Sequence, residues 1–274
     1  AFTQNTSMGV LAVANCFPWK RGDGVILFEG EFPTNVTPWL AAAKRHDLTI
    51  HWLSADEFRT APERALYRLS ELLSAHDIRL LAVSAVAFQT GFQMPIATMA
   101  ERCRAEGAEI FVDGIQAAGI VPLDFETLGI DYFAAGGHKW LMGPEGTGFV
   151  WIAPHRLAAF EPNFASWLSH ESCFEFLFHG PGLLRYDRPM RADATVLEGG
   201  MSNVLGFTAL STSVEFIEQL SVEAISRHVA DYHDRLELGL VSRGWSSVRA
   251  PGRAEQSGIL SLSTPTDIDG SAMV

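Results

Sequence analysis

A short, wholly apolar run, Ile110-Phe111-Val112, ends on a carboxylate, Asp113, with Gln116 three residues further on. A second strand-like run leads into a Gly-Gly-His-Lys turn, Gly136 to Lys139, and then into Gly143-Pro-Glu-Gly-Thr-Gly148. Residues 80–86 form another nearly continuous apolar run. Runs of this kind, without alternation, suit strands buried on both faces, which belong to parallel sheets covered by helices. In such sheets ligands sit outside the carboxyl ends of the strands. Asp113 and Lys139 are both expected there, where together they can build a site that neither makes alone.

The flanking patterns agree with an α/β chain. Strands are predicted at 25–28, 49–53 and 80–86, and helices at 36–46, 57–75 and 95–107. This alternation, continuing to residue 152, predicts a doubly wound, mostly parallel sheet with helices on both faces. Beyond it come a short helix at 154–160, an aromatic- and glycine-rich excursion without period at 161–195, and helices at 204–220 and 224–241. A strand at 258–263 would open a small, incomplete C-terminal α+β domain. The expected division is 1–221 for a large domain and 222–274 for part of a small one. At the other end, Asn5, Thr6 and Ser7 offer cap chemistry to an apolar helix, whose exposed N–H groups suit a phosphate.

Asp-x-x-Gln, then His-Lys-Trp-Leu and Gly-Pro-x-Gly-x-Gly, resembles the pyridoxal-phosphate core of the class V aminotransferase family, of fold type I. The resemblance covers almost the whole chain and is densest between 81 and 152. It implies that Lys139 is the catalytic, Schiff-base lysine. It also implies that Asp113 pairs with the protonated pyridine nitrogen, Gln116 bonds the ring hydroxyl and His138 sits beside the lysine. Thr6 and Ser7 fall where the family has its first phosphate-binding turn. Phe32, in Phe32-Pro-Thr, resembles the ring-stacking aromatic of the kynureninase-like and isopenicillin-N-epimerase-like branches, where cysteine desulfurases have His. Phe88 likewise lies near a polar Asn of the desulfurases. In the family's Glu-x-Gly-Thr-x-Asn segment, whose Thr reaches the neighbouring subunit's phosphate, this chain has Met201, leaving Ser202 as the nearby hydroxyl. A homodimer is therefore implied. So is a cofactor-dependent reaction at the α-carbon of a small-molecule amino-acid substrate: epimerisation, lysis or transamination. A cysteine desulfurase or selenocysteine lyase, or a fragment that binds cofactor without turnover, are the alternatives.

Composition narrows the other classes. A net charge of −12, with no basic cluster, argues against a nucleic-acid partner. Three widely spaced cysteines, Cys16, Cys103 and Cys173, form no disulfide framework and fit a reducing, cytoplasmic setting. No apolar run reaches membrane-spanning length. His170, Cys173 and His179 match no regular zinc spacing, so no metal is expected. Gly143 to Gly148 lacks the Gly-Lys-Ser/Thr ending of a P-loop and precedes a strand. The chain starts without Met, inside what reads as a cofactor motif, and is expected to be a fragment lacking an N-terminal segment.

Overall fold

The computed structural model describes residues 1–265; the remainder of the expected C-terminal domain, 266–274, lies outside the described residues. The main sheet contains β1 (Phe2–Thr3), β2 (Gly24–Glu29), β3 (Thr49–Ser54), β4 (Ile78–Ser84), β5 (Glu109–Asp113), β6 (Tyr132–Gly136) and β7 (Gly148–Ile152). Their order is β1-β7-β6-β5-β4-β2-β3. The strands β3, β2, β4, β5 and β6 run parallel, while β7 is antiparallel to both β6 and β1.

Alternate residues of the central strands serve opposite faces, as the period of a strand requires. Val25, Leu27, Leu80, Ala82, Phe111 and Tyr132 pack with α1 (Thr6–Cys16) and α2 (Thr37–His46). Ile26, Phe28, Leu81, Val83, Ile110, Val112 and Phe133 pack with α3 (Ala55–Thr60), α4 (Pro62–Ala75) and α5 (Ile96–Ala105). The uninterrupted apolar runs thus follow from helices on both sides of the sheet. The predicted helix at 57–75 is in fact two. The proline at 62 drives Ala61 out of helical geometry, to φ −149°, ψ 62°.

Short helices α6 (Phe125–Leu128), α7 (Pro154–Leu157) and α8 (Glu175–His179) precede two long ones, α9 (Val204–Leu220) and α10 (Val222–Val241). The turn between α9 and α10 falls at Ser221, where φ is 68°. After α10 comes a two-stranded antiparallel ribbon, β8 (Ser246–Ser247) with β9 (Leu262–Ser263). The strand expected at 258–263 is therefore shorter than its pattern. Ile225 and Val229 of α10 still rest on the main core.

At the amino ends of β5 and β6, Glu109 and Asp131 are buried but satisfied. Arg156 reaches Asp131 at 2.8 Å and Glu109 at 3.3 Å, and the Tyr132 hydroxyl donates to Glu109 at 2.7 Å. This end of the sheet is a closed ionic cluster. The opposite, carboxyl end carries the candidate site.

One contact aims α1 at that end. A Cβ at Gly9 would stand 2.7 Å from the Ala134 Cβ, so only glycine lets α1 lie this close to β6. Gly9→Ala is expected to destabilise the chain by about 1–3 kcal/mol through overpacking. That outweighs the roughly 0.5–1 kcal/mol that alanine gains over glycine in a helix. Denaturant melts should show this loss, and Ala134→Gly should recover most of it.

Candidate active site

Asp113 is the last residue of β5 and Lys139 follows β6 by three residues, so the two lie at the carboxyl ends of neighbouring parallel strands. Between β6 and β7 the chain closes on itself. The Gly137 N–H donates to the Thr147 carbonyl at 2.8 Å, and the Gly143 N–H to the Gly137 carbonyl at 2.7 Å. This tight loop presents His138 and Lys139 to solvent at the cavity rim.

Thr6, Ser7, Phe32, Asp113, Gln116, His138 and Lys139 all line one cavity of about 270 Å³. Asn5, Thr34, Ser84 and Phe88 complete much of its wall. Ser202 is not brought there. It lines a larger, neighbouring cavity of about 580 Å³ beside Phe2, Met8, Met201 and Asn203. Met201 is solvent-exposed, while Asn203 caps α9 by accepting from the Gly206 N–H at 3.0 Å.

The polar groups of the Lys139 cavity differ from those of the ionic cluster. Asp113 is 2% exposed, and its carboxyl accepts from the Ile115 N–H at 3.0 Å. No arginine pairs with it among the described residues. Burial pushes this carboxyl up to about 7; Glu31 adds to the rise, and the Ile115 N–H and Lys139 oppose it. The Thr6 hydroxyl oxygen is likewise buried and without a hydrogen-bond partner among the described residues. It stands on the first turn of α1, where backbone N–H groups have no intrahelical acceptor. Asn5 caps that helix by accepting from the Met8 N–H at 2.9 Å. A positive helix end with an orphaned hydroxyl fits an anion. A buried, cation-poor carboxylate across the same cavity fits a protonated ring nitrogen.

The family sequence profile described as "Aminotransferase class-V" matches residues 1–273. The chain belongs to that family. Isopenicillin N epimerase of Streptomyces clavuligerus is 26% identical over 94% of this chain and 64% of its own length. A cysteine desulfurase of Dickeya dadantii is 29% identical over 83% of this chain and 52% of its own length. The chain thus spans less than two thirds of each of these relatives. Among solved structures, the cysteine desulfurase CsdA of Escherichia coli superposes with a TM-score of 0.84 at 24% identity, over 100% of this chain and 65% of that one. A variant of the cystine C–S lyase C-DES, solved with glycine covalently linked to its PLP cofactor, has a TM-score of 0.84 at 23% identity. That match covers 100% of this chain and 69% of C-DES. The fold of this class V chain is the one those enzymes share, fold type I.

Sequence reading did not single out Glu31, Ser84 or Thr34. Glu31 was visible only as one polar residue of the loop Glu29-Gly-Glu-Phe-Pro-Thr-Asn35. Its partner is far along the chain, and no local pattern marks the pair.

A carboxyl raised from 3.8 to about 7 binds its proton more readily in the folded than in the unfolded state. Its contribution to stability therefore falls as pH rises through that window. In cofactor-free protein, Asp113→Asn is expected to remove this loss. The variant should gain on the parent by up to about 4 kcal/mol at pH 8, the gap closing toward pH 4. Chemical denaturation at both pH values checks it.

Proposed function

We propose that this chain holds pyridoxal phosphate in the Lys139 cavity and acts at the α-carbon of an amino acid. The observation that carries this reading is the convergence of Asp113, Gln116, His138 and Lys139 with the α1 amino terminus in one cavity. Three separate segments supply these groups. Family membership agrees with it.

When bound, pyridoxal phosphate supplies an electron sink for the carbanion left at the α-carbon. The chain's own residues do the rest. Thr6, Ser7 and the α1 amino terminus would hold the phosphate, and Gln116 the ring hydroxyl. The Asp113 carboxylate keeps a proton on the ring nitrogen, since opposite charges side by side favour both charged forms. Lys139 would hold the cofactor through its amine, and that amine would move a proton to or from the substrate's α-carbon. His138 lies beside it.

Phe32 and Phe88 favour the epimerase-like branch over the desulfurase-like one. They meet edge to face, with ring centroids 5.5 Å apart and planes at 85°. This apolar pair forms the rim where resemblance places His and Asn in the desulfurases. A desulfurase reading is favoured instead by the Dickeya relative. None of the three cysteines lines the cavity, and burial pushes the Cys103 thiol up to about 12.

The full protein is a homodimer in this reading, with Ser202 directed to the partner's phosphate, and a small C-terminal domain starts near residue 222. Its location is cytoplasmic. No described helix is long and apolar enough to cross a membrane.

Full-length protein loaded with pyridoxal phosphate and reduced with borohydride should carry the label on the peptide containing Lys139, read by mass spectrometry. Label on another lysine, or none on folded protein, overturns the reading. Sedimentation at twice the chain mass is expected for the full-length protein, and dilution to monomer should weaken cofactor retention.

A further inference from the structure

Behind the cavity wall, Glu31 makes a two-point contact that the chemistry above does not use. One carboxylate oxygen accepts from the Ser84 N–H at 2.6 Å, and the other from the Ser84 hydroxyl at 2.6 Å. Ser84 ends β4 and lies in register with Asp113 at the end of β5. Charge-assisted bonds of this length are among the stronger ones in proteins. Glu31 itself does not line the cavity, but Ser84 does.

The same contact anchors a loop. Immediately after Glu31 come Phe32 and Thr34, both in the cavity wall. Phe32 meets Phe88, and the Thr34 hydroxyl bonds the Ser7 hydroxyl at 2.8 Å, on the first turn of α1. Asn35, fully buried, accepts from the Trp39 indole N–H at 3.1 Å and secures the loop's far end. Phe32 is half exposed, so little packing holds it. Within the loop the Phe32 carbonyl accepts from the Asn35 N–H at 2.9 Å. The side-chain ties of Phe32 and Thr34 to the rest of the cavity are an aromatic edge and a hydroxyl pair, each weaker than a carboxylate accepting twice.

The contact also sets polarity. A serine hydroxyl has one proton to give, and Ser84 gives it to Glu31. Toward the cavity Ser84 can therefore only accept. Its oxygen and the Asp113 carboxylate end adjacent strands as two acceptors.

We propose that Glu31 is a positioning residue for the cofactor site: its clamp on Ser84 holds the loop bearing Phe32 and Thr34 against the cavity and turns Ser84 into an acceptor. This inference rests on the pyridoxal-phosphate reading for its consequence, but the clamp itself does not.

The experiment has two arms on full-length protein. Hydrogen exchange of a peptide spanning residues 29–36 is measured without cofactor. Glu31→Ala and Ser84→Ala should each raise exchange, and Glu31→Gln, whose amide can still accept from the Ser84 N–H, should restore much of the protection. Pyridoxal-phosphate affinity and the visible circular dichroism of the bound cofactor form the second arm. Affinity should fall about tenfold or more in Glu31→Ala, the dichroic band should change, and the Glu31→Ala/Ser84→Ala double variant should lose no more than the worse single. Unchanged exchange in Glu31→Ala, or raised exchange with unchanged affinity and dichroism, overturns the proposal, as does full additivity of the two losses. If Glu31→Ala does not fold, the comparison of Glu31→Gln with Ser84→Ala decides the same points. Absence of borohydride label at Lys139 in the parent protein would instead sink the cofactor reading and leave the exchange arm standing.

Discussion

Asp113 sits at the end of β5 with its carboxyl removed from water, held by one backbone N–H and opposed by the charge of Glu31. At the other end of the same strand, Glu109 is also buried, yet Arg156 and the Tyr132 hydroxyl satisfy it. The two ends of β5 thus solve the problem of a buried acid in opposite ways. Arg156 completes one end internally. At the other, burial without a guanidinium leaves a carboxyl poised near neutrality, which a cationic ring nitrogen would return to its ionised form. A stability cost is tolerated where function needs it, and the rest of the site is arranged around that acid.

Two close approaches make the arrangement possible. Gly9 lets α1 lie against β6, bringing the helix's amino end and the Thr6 hydroxyl to the same side of the sheet as Asp113. The closed loop between β6 and β7 holds Lys139 beside them. Neither is a matter of one strong interaction. Each depends on missing side-chain volume at a place where backbone must come near its neighbour. The loop after β2 then covers the cavity's flank, tied down at Ser84, Phe88 and Ser7.

Legibility varied with how local each cause was. The strands were readable because burial on both faces leaves an unbroken apolar run, as in 80–86. That Asp113 and Lys139 follow strands was readable from a pattern within a few positions, while Gln116 and His138 were marked by the family resemblance; the fold brings all four to one cavity. The break of the predicted 57–75 helix at Ala61 was in principle visible through Pro62, but the helical period on either side masked it. Ser202 carried a family frame in its neighbours, and the fold places it beside a different cavity from that of Lys139. Glu31 could not have been found from local pattern: its partner lies 53 residues away, on a strand that is apolar from Leu80 to Val83.

By itself, then, the sequence determined the inventory and its direction. It specified a parallel α/β sheet, an acid and a lysine at the ends of strands, and a capped helix able to receive an anion. These are set by side-chain chemistry and short-range periodicity, which act over a few residues. Only tertiary structure decided which groups share a cavity, that Asp113 is buried without an arginine while Glu109 has one, and that Glu31 grips Ser84. Those outcomes depend on strand order and on the depth at which helices pack, and no single stretch of chain contains them.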